Sequence, residues 1–564
     1  MTAANMAQTG ETSQREGVKE TIESIVVALI LAFVFRAFIV EAFVIPTGSM
    51  APTLYGAHGT IVCEDCGTEF AYGLRDLSEQ RRVGTVGSVA KAVCPNCNHA
   101  NANLRINDAR GNAETGDRIL VLKWPFDLGG EVFGPARWDV VVFKNPSDGE
   151  TNFIKRLIGL PNEVLMIIDG DVYTAPMSEL SKKTLRTLDK LRHRKYLSRS
   201  GKMQGPLPRV PKEVYEELDR KVRIARKTEE AQEALWFVVY DHDYPPQTHD
   251  ADQPHWLAAG GDLSGWDTST RRVRFEDKGA EQDHIALKGK PVRGACAYNV
   301  HIRGPAPPVS DQRVRFVLTP LTTTGALRIR LEKTGRQFWA NIQMDGQVSI
   351  AESMEEPGPS TQLFLAERLH PFAPGKSVEI SFENIDYRLA LRIGGKEVLA
   401  TASDPSDGAY YGPNVRRLRN RPGRNTVSQP RIYGEGGSLE LTHLVVDRDE
   451  YYYHYPHGRG TALPWAPQQG WGSGRSPILL RDREYFMLGD NTTASKDSRL
   501  WDTVDARFDS RGEAFQLGTV PRDQLIGKAF FVYWPSPNRI GWLEWLPVVK
   551  GAVIPDVGRM RWIR

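Results

Sequence analysis

The longest apolar run in the chain lies near its N-terminus. The residues from Ser24 to Phe35 are all uncharged, and a second apolar stretch follows Arg36. A bilayer core requires about 20 helical residues, and an arginine near the end of such a segment can reach the headgroups with its long side chain. We therefore predict a transmembrane anchor over residues 22–40 and a disordered cytoplasmic N-terminus over residues 1–21. A cleaved signal peptide and a buried core helix are the alternatives.

Beyond residue 260 the hydrophobic pattern changes to short runs of period two, separated by Gly and Pro. Such alternation is typical of strands with one buried face, and a series of them predicts an antiparallel β-sandwich, here over residues 261–450. The order of runs loosely resembles lectin- or laminin-G-like jelly rolls, domains that bind glycans or protein partners, although a structural spacer is equally open. The clearest runs are Val314–Val317, Ala326–Leu331, Phe338–Ile342, Ser377–Phe382, Tyr387–Ile393, Lys396–Leu399 and Ser438–Thr442.

Directly before the sandwich, the sequence of residues 171–260 indicates helices and loops. Leu185, Leu188 and Leu191 recur at helical spacing within a strongly basic run over residues 182–202. This predicts a basic amphipathic helix, either solvated or in contact with anionic lipid headgroups. Acidic and histidine residues further on lack a fixed ligand spacing and predict a loop; they are Asp241, His242, Asp243, His249, Asp250, Asp252 and His255.

Composition places the chain among ordinary multidomain globular proteins. Its 564 residues are 40% hydrophobic and 25% charged, enough for two to four domains with real cores. The net charge of +3 gives no argument for a nucleic acid partner. Five cysteines are too few for a disulfide scaffold.

Four of the five cysteines form two Cys-x-x-Cys pairs. Cys63 and Cys66 are followed by Gly67, and the second pair is Cys94 and Cys97. Two such knuckles supply the four thiolates of a closed tetrahedral zinc site, so we predict a zinc-ribbon-like insert with structural zinc over residues 61–111. A pair of disulfides is the alternative if the region faces an oxidising compartment. The fifth cysteine, Cys296, stands alone.

A stiff turn carries a serine directly after the anchor. Ser49 follows Gly48 and lies between Pro46 and Pro52. Glycine permits either a close approach or a positive φ, and the prolines fix φ and exclude a helix. A nucleophile needs this rigidity, because its hydroxyl must be held against a scissile carbonyl. The alternative without a catalytic role is a Ser/Thr/Pro turn after a membrane helix.

A lysine in an apolar strand could activate that serine. Residues 116–121, 137–144 and 151–160 predict strands, and the last contains Lys155 and Arg156 between apolar neighbours. Burial disfavours the charged form of lysine and lowers its pKa. A neutral lysine can act as a general base for serine. The alternative places both basic side chains on a solvated face.

Taken together, these motifs resemble the successive signature boxes of bacterial type I signal peptidases, in the same order and with an anchor before the first. The resemblance covers the two ends of the chain and implies a signal-peptidase-type antiparallel β catalytic domain. The fold predicted is thus mainly β, with residues 41–60 and 112–170 as the first part of that domain and 476–564 as the second. The matching stretches are Pro46–Leu54, Gly116–Val121, Asp139–Lys144, Phe153–Pro161, Gly489–Arg499, Gly518–Arg522 and Leu525–Pro535.

The resemblance also implies roles for individual residues. Ser49 would be the nucleophile and Lys155 its general base, with the Ser49 N–H and the Thr47 hydroxyl as the oxyanion hole. Ser495 would orient the lysine. Asp497 and Arg499 would support its loop. No catalytic cofactor is implied.

The chain departs from the family pattern at two places. Thr492 and Thr493 stand where the last box usually has Arg-Asp, so a charged contact is missing there. Trp138 stands where a glycine is usual before the strand.

The expected function is therefore removal of signal peptides from exported preproteins. The enzyme would be a single-pass protein of the bacterial cytoplasmic membrane, with its catalytic domain on the outer side and the bilayer as partner. One alternative is another Ser–Lys protease of the same fold, such as a self-cleaving repressor. The other is an inactive, repurposed membrane protein whose sandwich binds a glycan or a protein.

Overall fold

The computed structural model confirms the mainly β architecture. It shows an N-terminal helix, an antiparallel sheet domain, a small cysteine-bearing insert and a large insert that contains a two-sheet sandwich. The residues described are 4–73, 89–105, 116–128, 133–192, 210–248, 253–280, 282–289, 291–299, 306–353, 362–404, 406–420, 428–453, 470–503, 505, 516–535, 537–539, 553–555 and 557–563.

The N-terminal helix is longer than predicted. Helix α1 spans Ala4–Phe38, and its segment Glu20–Phe38 has a mean hydropathy of 2.1 with no part buried in the protein. By length and composition this segment can cross a membrane. The helix begins at Ala4, within the stretch for which disorder is expected from the sequence. These residues include Ala, Gln, Glu and Lys, good helix formers that extend a helix already nucleated by the apolar segment.

The first part of the chain supplies most of the antiparallel sheet domain. Two hairpins of the small insert, β2–β3 and β4–β5, stand apart from that domain. The elements are β1 (Val40–Val44), β2 (His58–Val62), β3 (Glu69–Gly73), β4 (Val89–Val93), β5 (Ala100–Arg105), β6 (Arg118–Leu122), α2 (Trp124–Leu128), β7 (Val140–Lys144), β8 (Asn152–Gly159), β9 (Glu163–Ile168) and β10 (Asp171–Pro176).

Within the described residues, the large insert contains four short α-helices and the predicted sandwich. One sheet has the order β14-β15-β26-β17-β22-β23-β24, with β12 beside β26, and the other has the order β13-β16-β25-β18-β19-β20-β21. The elements are α3 (Lys182–Lys190), α4 (Lys212–Lys221), β11 (Arg223–Ile224), α5 (Glu229–Ala234), β12 (Phe237–Asp241), β13 (His255–Ala258), β14 (Trp266–Asp267), β15 (Val273–Glu276), β16 (His284–Lys288), β17 (Gln312–Pro320), β18 (Ala326–Lys333), β19 (Arg336–Gln343), β20 (Gln347–Ser353), β21 (Gln362–Arg368), β22 (Val378–Ile385), β23 (Arg388–Ile393), β24 (Lys396–Ala400), α6 (Val415–Asn420), β25 (Arg431–Glu435) and β26 (Ser438–Arg448).

The last part of the chain returns to the first sheet and completes it. The sheet order is β1-β6-β30-β7-β8-β28-β29, with β33 beside β30, so a C-terminal strand lies between two N-terminal ones. Strands β11, β10, β9 and β27 form a second, smaller sheet. The elements are β27 (Ile478–Leu480), β28 (Glu484–Leu488), β29 (Val520–Pro521), β30 (Leu525–Trp534), β31 (Pro537–Arg539), β32 (Val553–Pro555) and β33 (Arg561–Trp562).

Two expectations for residues 171–260 need correction. The basic helix ends at Lys190, and Leu188 on its apolar face packs into the protein core. Arg192 is buried in an ion pair with Glu484. Arg194, Lys195, Arg199 and Lys202 lie outside the described residues.

The predicted loop after these helices is partly strand. Asp241 ends β12 and His255 begins β13, so both flank the loop as members of the sandwich sheets. His242 is buried and hydrogen-bonded to Tyr240 and to the Thr270 carbonyl, as a core histidine. His249, Asp250 and Asp252 lie outside the described residues.

A buried ionic cluster joins the sandwich to the sheet domain. Lys333 of β18 pairs with Asp171 of β10 and with Asp311. Lys227 pairs with Asp386 and Asp449 in the same region. Breaking such a buried set by removing one partner leaves an uncompensated charge, so the two parts of the protein are firmly connected.

Trp138 explains why a glycine is expected at its position. Its φ is +76°, in the left-handed region that favours glycine. The side chain is buried, its Nε1–H donates to the Arg226 carbonyl at 2.7 Å, and Lys227 lies 5.5 Å from the ring centroid. Packing against the large insert therefore stabilises a tryptophan in a conformation that costs about 1–2 kcal/mol.

This strain is measurable by comparing two truncations. Trp138→Ala and Trp138→Gly both lose the indole packing, at a cost of about 3–5 kcal/mol, but only alanine keeps the left-handed strain. We expect the glycine variant to be the more stable by about 0.5–1 kcal/mol in urea unfolding in detergent.

Trp339 provides the matched control. It is buried in β19, and glycine in a strand interior is less favourable than alanine. The order should therefore reverse there, with Trp339→Ala the more stable. The same order at both sites would contradict the strain.

Candidate active site

The serine turn is built where β1 ends. Residues Gly48–Met50 form one 3₁₀ turn, closed by the Ala51 N–H to the Gly48 carbonyl at 3.1 Å. Met50 is fully buried and anchors the turn in the core beside Leu54. Thr47 precedes it in an extended conformation and is exposed.

Gly48 is required for close approach rather than for a positive φ. A Cβ at this position would lie 2.0 Å from Cε1 of Tyr298, a residue of the large insert. The φ of Gly48 lies outside the left-handed region. Of the two explanations offered by the sequence, the first is therefore the relevant one.

Lys155 lies beside Ser49 in a buried site. Its Nζ donates to Ser49 Oγ at 2.6 Å and to the Ile154 carbonyl at 2.8 Å. Lys155 is 4% exposed and Ser49 7% exposed. Lys155 lies on β8 opposite Val141 of β7, and β28 flanks it on the other side. The alternative of a solvated strand face is therefore wrong.

Burial lowers the pKa of Lys155 to about 8 from its ordinary 10.5. Nearby Asp497 and Asp490 act in the opposite direction, and Arg499 adds to the lowering. At a pKa near 8 a useful fraction of the amine is neutral, and a neutral amine at 2.6 Å can accept the serine proton. The pair has the geometry that a serine hydrolase needs.

Each of the two carboxylates has its own arginine partner. Arg156 binds Asp490 through two hydrogen bonds of 2.8 and 2.6 Å, and both side chains are fully buried. Arg499 binds Asp497 in the same bidentate way, at 2.8 and 2.6 Å. Bidentate pairing with arginine is strong and specific. It leaves less negative charge available to stabilise a protonated Lys155.

Ser495 lies in the site without the contact expected of it. The described hydrogen bonds of Lys155 Nζ go to Ser49 and Ile154, so a bond from Ser495 to the lysine is not among them. Ser495 is fully buried, and its Oγ would be 2.3 Å from a Cβ added at Gly489. That same Cβ would meet the Ser49 carbonyl at 2.5 Å. The loop therefore packs closely on the turn.

Sequence reasoning missed a residue that links this loop to the turn. The Asn491 backbone N–H donates to the Ser49 carbonyl at 3.1 Å, and its side-chain Nδ2 donates to the Gly48 carbonyl at 2.9 Å. Asn491 is 1% exposed. Both Asn491 and Arg156 lie inside the recognised motifs. The position of Arg156 in an otherwise apolar strand was a usable signal, whereas Asn491 lies between Asp490 and Thr492 and nothing local distinguishes it.

The four paired cysteines meet in one buried cluster. Their Sγ atoms all lie within 4.8 Å of one another, with Cys63 to Cys97 at 3.5 Å and Cys66 to Cys94 at 3.6 Å. A tetrahedral zinc–thiolate site with bonds of about 2.3 Å has sulfur–sulfur edges of roughly 3.8 Å. The cysteines are free thiols, and a disulfide would need about 2.0 Å. The cluster fits a metal ion.

The two knuckles have matching backbone geometry. Gly67 and Asn98 each follow the second cysteine of their pair with a positive φ, of 79° and 58°. Their N–H groups donate back to the first cysteine's carbonyl at 3.0 and 3.1 Å. In the second knuckle Asn98 therefore adopts the left-handed conformation that glycine adopts in the first, which asparagine tolerates better than most residues.

Comparison with known proteins assigns the chain to a family. The profile described as "Signal peptidase, peptidase S26" matches residues 18–215 and 427–534, more than half of the chain. The Ser49–Lys155 pair and every strand of its sheet except β33 lie within these limits. The chain therefore belongs to the signal peptidase family, peptidase S26.

Individual relatives match over shorter stretches. Signal peptidase I of Rickettsia bellii is 26% identical over 172 residues, which is 30% of this chain and 44% of the relative. The probable signal peptidase I-2 of Synechocystis is 29% identical over 163 residues, 28% of this chain and 56% of the relative. The chain thus spans about half the length of these curated relatives.

Solved structures resemble the chain only weakly. Carbohydrate-binding module CBM66 from Bacillus subtilis is 10% identical, with a TM-score of 0.22, and covers 34% of this chain and 94% of its own. Galectin LEC-6 of Caenorhabditis elegans is 16% identical, with a TM-score of 0.17, and covers 31% and 94%. Scores this low imply nothing about a ligand of the sandwich.

The cysteine cluster yields a direct test. We expect one zinc ion per purified chain, and less than a tenth of that in Cys63→Ser and Cys94→Ser, because a tetrahedral thiolate site fails when one ligand is lost. Metal analysis with thiol titration measures this. Cys296→Ser is the matched control and should keep its zinc. A metal-free protein with oxidised cysteines would contradict the zinc site and favour disulfides.

Proposed function

We propose that this protein is a membrane-bound serine endopeptidase that removes N-terminal signal peptides from exported preproteins. The observation that carries the proposal is the 2.6 Å hydrogen bond between Lys155 Nζ and Ser49 Oγ inside a desolvated site. Membership of the signal peptidase family supports the substrate class.

The reaction follows from this geometry. Neutral Lys155 takes the proton of Ser49 as Oγ attacks the scissile carbonyl, and an acyl-enzyme forms after the protonated lysine gives that proton to the leaving amine. Lys155 then takes a proton from water as the resulting hydroxide attacks the ester, and it returns that proton to Ser49 Oγ as the signal peptide leaves with a free carboxylate. The Ser49 N–H and the Thr47 hydroxyl are the proposed oxyanion donors, each contributing about 3–4 kcal/mol.

The membrane anchor would hold the reaction at the membrane surface. The segment Glu20–Phe38 is apolar enough to cross a bilayer and ends just before the serine turn. Signal peptides emerging from the bilayer would therefore reach Ser49 without leaving the surface. We place the catalytic domain on the outer side of a bacterial cytoplasmic membrane.

We assign the other parts of the chain as follows. The catalytic domain comprises residues 41–60, 112–170 and 476–564. Zinc bound by Cys63, Cys66, Cys94 and Cys97 would hold the two hairpins together and take no part in catalysis. The close Ser49–Lys155 contact favours an active enzyme over a repurposed binding protein, and no feature of the described residues favours a glycan or protein ligand for the sandwich.

Substitution of the dyad tests the proposal. Cleavage of a preprotein in detergent should fall at least about 10³-fold in Ser49→Ala and in Lys155→Ala, since nucleophile and base act as a unit. Lys144→Ala, on the neighbouring strand, and Ser269→Ala, on the sandwich surface, are matched controls that should retain wild-type rates. Wild-type activity in either dyad variant would refute the assignment.

The lowered pKa of Lys155 predicts a pH dependence. Only the neutral amine accepts the serine proton, so kcat/KM should fall about tenfold for each pH unit below the folded pKa of about 8. The measurement is kcat/KM between pH 6 and 9, with circular dichroism to show that the fold is unchanged. A flat profile over that range would contradict a lysine base.

A further inference from the structure

The large insert reaches the catalytic turn through one segment. Residues 291–299 lie between β16 and β17, and Tyr298 at the end of this segment is buried against Gly48. The Tyr298 hydroxyl donates to the Ala57 carbonyl at 2.8 Å, and its ring stacks on Tyr55 at 5.7 Å. The serine turn is therefore covered on one side by a side chain of the insert.

Asn299, the next residue, binds the amide that holds the turn. Asn299 Nδ2 donates to Asn491 Oδ1 at 2.7 Å, and Asn491 Nδ2 donates back to Asn299 Oδ1 at 2.9 Å. The remaining hydrogen of Asn491 Nδ2 is used on the Gly48 carbonyl. Asn299 thus fixes which end of the Asn491 amide faces the turn.

The exit of the insert adds a second contact to the same loop. Glu450, just after β26, accepts from the Thr492 N–H at 3.2 Å. Arg448 pairs with Glu450 at 3.3 Å and donates to the Ala295 carbonyl at 2.8 Å. Entry and exit of the sandwich are therefore joined at the catalytic loop.

These contacts fall where the chain departs from the family pattern. Thr493 Oγ1 accepts from Asn299 Nδ2 at 2.5 Å, and the Thr492 N–H binds Glu450. Trp138, at the usual glycine position, donates its indole N–H to the Arg226 carbonyl of the insert at 2.7 Å. At both departures from the family pattern, the residue of the catalytic domain forms a hydrogen bond with a residue of the insert.

We infer that the insert is a working part of the catalytic site, with Asn299 as a positioning residue that acts on Ser49 through Asn491. This inference rests on the proposed peptidase function and deepens it. Without Asn299 only the Thr493 hydroxyl, which donates to Asn491 Oδ1 at 3.1 Å, opposes reversal of the Asn491 amide. Its oxygen would then face the Gly48 carbonyl, which repels it, and the turn would shift. A displacement of about 1 Å of the nucleophile can cost about 10²-fold in rate.

The test substitutes Asn299 by leucine, which has a similar size and no hydrogen bonds. We expect kcat to fall about 10- to 100-fold with KM within twofold, because the reacting group moves while peptide contacts remain. In an Asn491→Ala background the same substitution should change kcat less than twofold, since the pathway is already broken.

Asn384 supplies the matched control. It is a fully buried asparagine inside the sandwich, bonded to Tyr411 and remote in sequence and contacts from the turn. Asn384→Leu should lower the melting temperature without the loss of kcat. A loss of kcat equal to that of Asn299→Leu would mean that general destabilisation is responsible, and the inference would be wrong.

The remaining outcomes separate the two claims. A wild-type kcat in Asn299→Leu, or an equal loss of kcat with and without Asn491, overturns the positioning role while leaving the peptidase intact. Cleavage by Ser49→Ala at the wild-type rate, or no cleavage by the wild type, refutes the proposed function, and the inference then falls with it.

Discussion

The chemistry of the site rests on one hydrogen bond, between Lys155 and Ser49. It is useful only if the lysine loses its proton readily, and that requires removal from water. Strands β7 and β28 enclose β8 on both sides and provide this burial. The carboxylates of Asp497 and Asp490 oppose this lowering of the Lys155 pKa, because both favour the charged amine. Their pairing with Arg156 and Arg499 limits that effect.

The sheet that buries Lys155 also joins the two parts of the chain on either side of the insert. Strand β30, from the far end of the chain, lies between β6 and β7, so the sheet that buries Lys155 cannot form until the insert has been traversed. The buried ion pair between Lys333 and Asp171 connects the sandwich to the sheet domain, and Lys227 links the helical part of the insert to the sandwich. The insert is therefore held rigidly enough for its loop to contact the catalytic turn.

Much of this arrangement could be predicted from the sequence, because it rests on local pattern. The apolar helix, the alternating strands of the sandwich, the two cysteine knuckles and the ordered motifs around Ser49 and Lys155 are all recorded in short stretches. The Cys-x-x-Cys spacing predicted a four-sulfur cluster, and the structure brings the sulfurs together.

What could not be predicted depends on contacts distant in sequence. Gly48 is a glycine because Tyr298 packs on it, and nothing within the turn reveals that partner. Trp138 appeared to be an anomaly until its positive φ and its contact with Arg226 were seen together. The helical residues from Ala4 onwards lie outside the apolar run, and they include good helix formers that extend a helix nucleated by the apolar segment.

The measurement that tests the central claim most directly is the titration of Lys155 itself. Lysines labelled with carbon-13 at Cε report their protonation by NMR in detergent micelles, and the spectrum of Lys155→Arg identifies the signal. We expect this lysine to titrate with a midpoint near pH 8. A midpoint at the ordinary value near 10.5 would show that the site does not supply a neutral base, and would contradict the account.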